Sequence, residues 1–271
     1  MEALERCARC LRAGLAAVAV RRRLPWLLLV LVLLGSALKD GDLVPETPMQ
    51  NKRNVLNVYF VKVAWAWTFL LLLPFIGLTT YLFAKSKLLY GPTKSVLTAL
   101  RRLSALLVGT AVWYVCTGFF TYVENLTGTC STPGKLSESR RLYATKQECH
   151  QDNGIWNGFD ISGHCFLLSY CALMIVEEMA VLEGLSIDQN SRLRVVVNSL
   201  FVSLCFLTVI WVFMFLCTAV YFHDFSQKIL GTLIGLAAWY ATYRVWYLKS
   251  FSPGLPLPNI YLSSKKHNYR R

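Results

Sequence analysis

The apolar residues of this chain come in long blocks, which a bilayer requires and a water-soluble core does not. Six blocks stand out: Leu24–Leu38, Val58–Phe83, Leu103–Val123, Ile161–Leu182, Val195–Tyr221 and Ile229–Leu248. The first is short for the roughly 20 residues a spanning helix needs. It either extends into Ala13–Val20 or is only partly inserted, and no small-residue site follows it cleanly as in a cleaved signal peptide. Only 16% of the 271 residues are charged and 55% are hydrophobic, whereas a soluble domain carries about 25% charge. The expected fold class is therefore all-α, a polytopic membrane protein of six transmembrane helices. Residues 1–23 form a basic N-terminal segment, 24–248 the membrane domain with a loop at 124–160, and 249–271 a basic tail. No internal repeat is apparent, and the only low-complexity stretch is Ser252–Pro258.

Charge sets the orientation. Of the residues behind the +13 net charge, Arg6, Arg9, Arg12 and Arg21–Arg23 precede the first block. Lys85, Lys87, Lys94, Arg101 and Arg102 follow the second without an acid among them, and Lys249, Lys265, Lys266, Arg270 and Arg271 follow the last. An even number of spans puts all three groups on one side, and the basic excess marks that side as cytosolic. Both termini are then cytosolic, and the loops after blocks one, three and five face a lumen. Two features agree. Asn125-Leu-Thr127 is a glycosylation acceptor in the loop that the charge count makes lumenal. The same loop holds Cys130 and Cys149, which an oxidising lumen would let pair, a closure worth roughly 3 kcal/mol in the chain-entropy picture.

Ionisable groups inside a span are costly and point to function. Lys62 is read as about one turn inside block two, with Lys52, Arg53, Asn54 and Asn57 just before it. Two readings stay open: an electropositive lumenal rim for an anionic head group, or a snorkelling lysine among interfacial polar residues. Glu177, Glu178 and Arg244 lie near the cytosolic ends of their blocks and are expected to pair with one another or with Arg101, Arg102, Arg192 or Arg194. Cys7 and Cys10 read as ordinary thiols in a basic segment; acylation is open to them, while zinc would need two further ligands that are not nearby. The cysteines at 116, 165, 171, 205 and 217 read as small hydrophobes.

Among four histidines, His150 and His267 read as solvated. His164, in Phe159-Asp-Ile-Ser-Gly-His164, opens block four at its lumenal end, and His223 lies between blocks five and six on the same side. Ser162 and Gly163 are small and leave the helix N-terminal N–H groups open to an anion. Imidazole titrates near neutrality, so one copy can attack phosphorus while another protonates the departing oxygen. Donors for the remaining phosphate oxygens are Ser162, Gly163, Lys62, Arg53 and Lys228. Asp160, Asp224 and Gln227 are candidates to orient the rings. Asp160 and Asp224 stand isolated, so neither a metal nor a cofactor is expected.

Ser-Gly-His at a lumenal helix start followed by a later histidine resembles the lipid phosphate phosphatase superfamily and its helical bundle. More closely, four stretches resemble the fat storage-inducing transmembrane proteins: Asn51–Trp67, Gly158–His164, Ile175–Glu178 and Phe215–His223. That resemblance covers nearly the whole chain and implies an endoplasmic reticulum protein with six spans. It also implies an acyl-coenzyme A diphosphatase, releasing acyl 4′-phosphopantetheine and adenosine 3′,5′-bisphosphate. By analogy His223 matches the nucleophile and His164 the general acid. It further implies a part in lipid droplet biogenesis, with diacylglycerol and triacylglycerol as lipid partners; no nucleic-acid partner is expected. The broader phosphatase pattern is broken in three places: no Lys-x6-Arg-Pro element occurs, Cys217 replaces an arginine, and Gln227 replaces a carboxylate. The rival reading is a non-catalytic protein that partitions neutral lipid among its spans. A transporter is disfavoured, because paired broken helices are lacking and Pro74 is a lone kink candidate.

Overall fold

The computed structural model describes residues 2–14, 18–51, 53–86, 92–131, 145–187 and 191–256. Lys52, Lys87, Pro258, Lys265, Lys266, His267, Arg270 and Arg271 lie outside the described residues. The chain is a helical bundle. Helix α1 (Glu2–Gly14) is followed by α2 (Val18–Asp40), the short α3 (Val55–Tyr59) and α4 (Ala64–Ser86). Then come α5 (Pro92–Thr127), α6 (Lys146–Gln151), α7 (Gly163–Met179), α8 (Arg192–Tyr221) and α9 (Phe225–Trp239). Among the described residues, four helices are long and apolar enough to cross a membrane: Val61–Lys85, Thr93–Thr127, Gly163–Glu183 and Arg192–Tyr221. The protein is thus a multi-pass helical membrane protein. The two remaining blocks fall on α2, which carries Arg21–Arg23 within its first turns, and on α9, a 15-residue helix prolonged by a six-residue π-helical segment, Tyr240–Val245.

Helix α7 is the axis of the bundle. It packs against α2, α4, α5, α8 and α9, and every residue from Cys165 to Met179 is buried. A helix that is apolar all round belongs in such a place. Its closest neighbour is α9, and glycine is the reason. A Cβ on Gly231 would stand 2.4 Å from the Ser162 carbonyl oxygen, and one on Gly235 would stand 2.8 Å from that of Phe166. Gly231-x-x-x-Gly235 therefore lets two backbones meet, as small-residue pairs do in membranes.

Two expected boundaries move. Block two is not one helix from Val58: α3 ends at Tyr59, a 3₁₀ turn spans Val61–Val63, and α4 begins at Ala64. The Asn54 side chain accepts from the Leu56 N–H and caps α3, so Asn54, Val58 and Lys62 do not continue along one α-helical face. Lys62 is exposed on the 3₁₀ turn, at the very start of the apolar stretch Val61–Lys85 rather than one turn inside it. Block three runs on to Thr127, because nothing breaks the helix before Gly128; Asn125 therefore sits in the last turn of α5, its side-chain oxygen accepting from the Lys146 N–H at 3.3 Å. Beyond it, β1 (Thr129–Ser131) and β2 (Ile155–Asn157) form a short antiparallel ribbon with Cys130 opposite Trp156. Cys130 and Cys149 are joined by a disulfide, buried against Trp156.

The charged groups of α7 lie at the end away from His164, about 20 Å along the axis at 1.5 Å per residue. Arg102 pairs with Glu178, which also accepts from the Tyr243 hydroxyl at 2.6 Å. Arg244 pairs with Glu177, and Arg21, which the sequence reading did not place here, bonds Glu183 at 3.1 Å and approaches Glu177 at 4.0 Å. Arg101 and Arg194 go elsewhere, to the Ser252 carbonyl and to Glu5. Removing one partner of a buried ion pair strands the other charge. Glu178→Gln, leaving the buried Arg102 unmatched, is expected to cost about 3–5 kcal/mol, visible as a large drop in the melting temperature of detergent-solubilised protein. An unchanged melting temperature would contradict it.

Candidate active site

The three-residue turn Phe222–Asp224 links α8 to α9, and its middle residue is forced. His223 has φ +54°, a left-handed conformation that non-glycine residues adopt at a cost and keep where the surroundings demand it. Its carbonyl accepts from the Lys39 ammonium at the end of α2. Its ring Nδ1 lies 3.3 Å from Gln227 Oε1 and 3.7 Å from Asp160 Oδ2. The Gln227 amide is oriented by a second bond: Oε1 also accepts from the Asp224 N–H at 3.2 Å. A backbone N–H can only donate, so the oxygen of the amide must face it, and the same oxygen faces the ring. In the neutral ring Nδ1 therefore carries the proton and Nε2 the lone pair.

His164 arrives from the other wall. Ser162 caps α7, its hydroxyl accepting from the Cys165 N–H at 3.3 Å while its own N–H donates to the Gln227 carbonyl at 3.1 Å. That second bond ties the first turn of α7 to the first turn of α9. The two histidine-bearing turns are thus joined through one residue, Gln227. His164 and His223 line a single cavity of about 320 Å³ with Val61, Lys62, Trp113, Thr117, Asp160, Gly163 and Leu167. That volume is at the lower end of small-molecule sites, roughly 300–1,000 Å³. A Cβ on Gly163 would meet nothing within 4 Å, and Gly163 lines the cavity, so the start of α7 is uncrowded there.

The other expected residues are placed less centrally. Of the phosphate donors, Lys62 and Gly163 reach the cavity, but Ser162 is fully buried as a helix cap and is not among the lining residues. Lys228 is also fully buried, donating 2.8 Å to the Ala219 carbonyl. Arg53 is exposed before α3, away from the lining. Of the orienting candidates, Gln227 and Asp160 contact the His223 ring, whereas Asp224 acts through its backbone N–H and its side chain is exposed. Trp113, Thr117 and Leu167 were not expected; their sequence context is ordinary span, and only packing brings them to the site. Among the described residues, no group of three or more His, Cys, Asp or Glu is placed to hold a metal ion.

Fold and site together define a multi-pass helical membrane protein with a paired-histidine cavity at one end of its bundle. The family model for the fat storage-inducing transmembrane protein matches residues 46–200 and 185–243, and the chain belongs to that family. It is 57% identical over 272 residues to a Bos taurus protein and 55% identical over 272 residues to a Homo sapiens protein, each named acyl-coenzyme A diphosphatase FITM2 and each aligned over 100% of both chains. It is also 34% identical over 255 residues to fat storage-inducing transmembrane protein 1 of Homo sapiens, covering 91% of this chain and 82% of the relative. No solved structure matches.

Proposed function

We propose that the protein hydrolyses the diphosphate of fatty acyl-coenzyme A, giving acyl 4′-phosphopantetheine and adenosine 3′,5′-bisphosphate. The observation that supports it most is that His164 and His223 line one cavity while the Gln227 amide oxygen engages Nδ1 of His223. The names of the relatives supply the substrate class. In the first step Nε2 of His223 attacks one phosphorus, forming an N–P bond as the bridging P–O bond breaks. The departing oxygen takes a proton from protonated His164. Neutral His164 then takes a proton from water, whose oxygen attacks the phosphohistidine and releases His223. Charge on the transferring phosphoryl oxygens is met by Lys62 and by the positive end of α7 at Gly163. Asp160 faces the His223 ring while it is cationic, in the phosphohistidine that carries the phosphoryl group on Nε2 and the proton on Nδ1.

The site faces the lumen of the endoplasmic reticulum in this reading. Helices α2 and α9 complete six spans, both termini are cytosolic, and Asn125 carries a glycan. The acyl chain stays in the bilayer, and turnover supports lipid droplet formation and reticulum homeostasis, with diacylglycerol and triacylglycerol among the lipids held. Purified protein given a long-chain acyl-coenzyme A should release equimolar acyl 4′-phosphopantetheine and adenosine 3′,5′-bisphosphate. Release of free fatty acid instead, or no release at all, would overturn the proposal.

A further inference from the structure

Three helices converge on the carbonyl end of α8, and two lysines meet there. Helix α2 approaches closely enough that a Cβ on Gly35 would stand 2.9 Å from the Ala219 Cβ. One turn further on, Lys39 donates to the His223 carbonyl. From α9, Lys228 donates to the Ala219 carbonyl. Cations at the C-terminal end of a helix satisfy carbonyls that lack helical partners and face the negative end of its dipole. Lys228 does this inside the bundle; Lys39 does it one residue past the helix cap, at the left-handed histidine itself.

We propose that Lys39 is a positioning residue for His223: its bond to the His223 carbonyl fixes the left-handed turn that carries the imidazole into the cavity. The ring contacts cannot do this alone. Gln227 fixes the tautomer, and Asp160 is exposed and 3.7 Å away, so neither sets the backbone angle from which the ring projects. Lys39 is half-buried and does not line the cavity, which separates its task from phosphate binding. Without it the turn relaxes toward negative φ, and the ring swings away from the side of His164.

The kinetic part of this inference rests on the proposed diphosphatase reaction; a second arm does not. Lys39→Met is expected to lower kcat 10- to 100-fold with KM changed less than about threefold, the pattern of a displaced reacting group rather than a lost substrate contact. Lys39→Arg, which can still donate to the carbonyl, should recover most of the rate. In parallel, carbethoxylation of His223 is followed by peptide mass spectrometry in detergent, which needs no turnover. It should be several-fold faster in Lys39→Met than in wild type and in Lys39→Arg. Wild-type kcat, or wild-type carbethoxylation, in a monodisperse Lys39→Met protein would overturn the proposal. Should that variant fail to fold, Lys39→Gln, with a shorter neutral side chain, takes its place under the same two criteria. An inactive wild type would refute the diphosphatase reading, while the carbethoxylation rates still decide the role of Lys39.

Discussion

His223→Ala is expected to abolish acyl-coenzyme A hydrolysis, with a fall in kcat of at least about a thousand-fold, the scale on which loss of a covalent nucleophile is felt. The argument runs through one amide. Gln227 Oε1 accepts at once from the Asp224 N–H and from the His223 ring, so Nδ1 is a donor and Nε2 a base. Removing the imidazole removes the only group in the cavity lining, apart from His164, that can form an N–P bond near neutral pH. His164→Ala should fall less, by roughly 10²–10⁴-fold, since a lost general acid leaves the nucleophile in place. Neither ring is buried in the core, so both variants should fold, and an unaltered melting temperature would confirm that chemistry alone was lost. Full turnover by His223→Ala would exclude His223 as the nucleophile and with it this mechanism.

Much of this was legible in the sequence, for physical reasons. Long apolar blocks report helices directly, because a backbone in lipid has few other ways to satisfy its hydrogen bonds. The histidines were legible because each is a polar side chain at the end of an apolar block. The phosphate donors were harder. Ser162 is a small hydroxyl at a helix start, and that position is also where a serine caps its own helix. Lys228 follows His223 closely in sequence, but one turn into α9 it is buried in the bundle and donates to the carbonyl end of α8. Lys62 falls inside the apolar block Val58–Phe83, which hides the break between α3 and α4; Asn54, a capping residue for a separate short helix, is the local signal of that break. Lys39 lay outside any local reading, since it meets His223 from 184 residues away. One feature was available and missed: Gly231-x-x-x-Gly235 in an apolar helix is the pattern of a close helix crossing.

That crossing carries the second large effect. Gly231→Ala adds one methyl to a helix interior, a change that by propensity alone is favourable by roughly 0.5–1 kcal/mol. Here the new Cβ would lie 2.4 Å from the Ser162 carbonyl oxygen and 3.5 Å from the Cys165 Cβ. The first contact is backbone and cannot rotate aside, so α9 must back away from α7 by about 1 Å to reach ordinary contact. Such overpacking costs about 1–3 kcal/mol. The larger consequence is geometric, because the same interface holds the bond from the Ser162 N–H to the Gln227 carbonyl. Stretching it separates the turn that bears His164 from the residue that orients His223, and a displacement near 1 Å can cost roughly 10²-fold in rate. Gly231→Ala should therefore lose about that factor in kcat while remaining folded, and Gly231→Leu should fail to assemble. Gly118→Ala is the matched control: it sits in α5, where an added Cβ meets nothing within 4 Å, and should leave activity and melting temperature unchanged. Equal turnover in Gly231→Ala and Gly118→Ala would mean that the α7–α9 crossing does not set the spacing of the two rings. With the crossing intact, the rings are held by backbone contacts that side chains elsewhere in the bundle cannot replace.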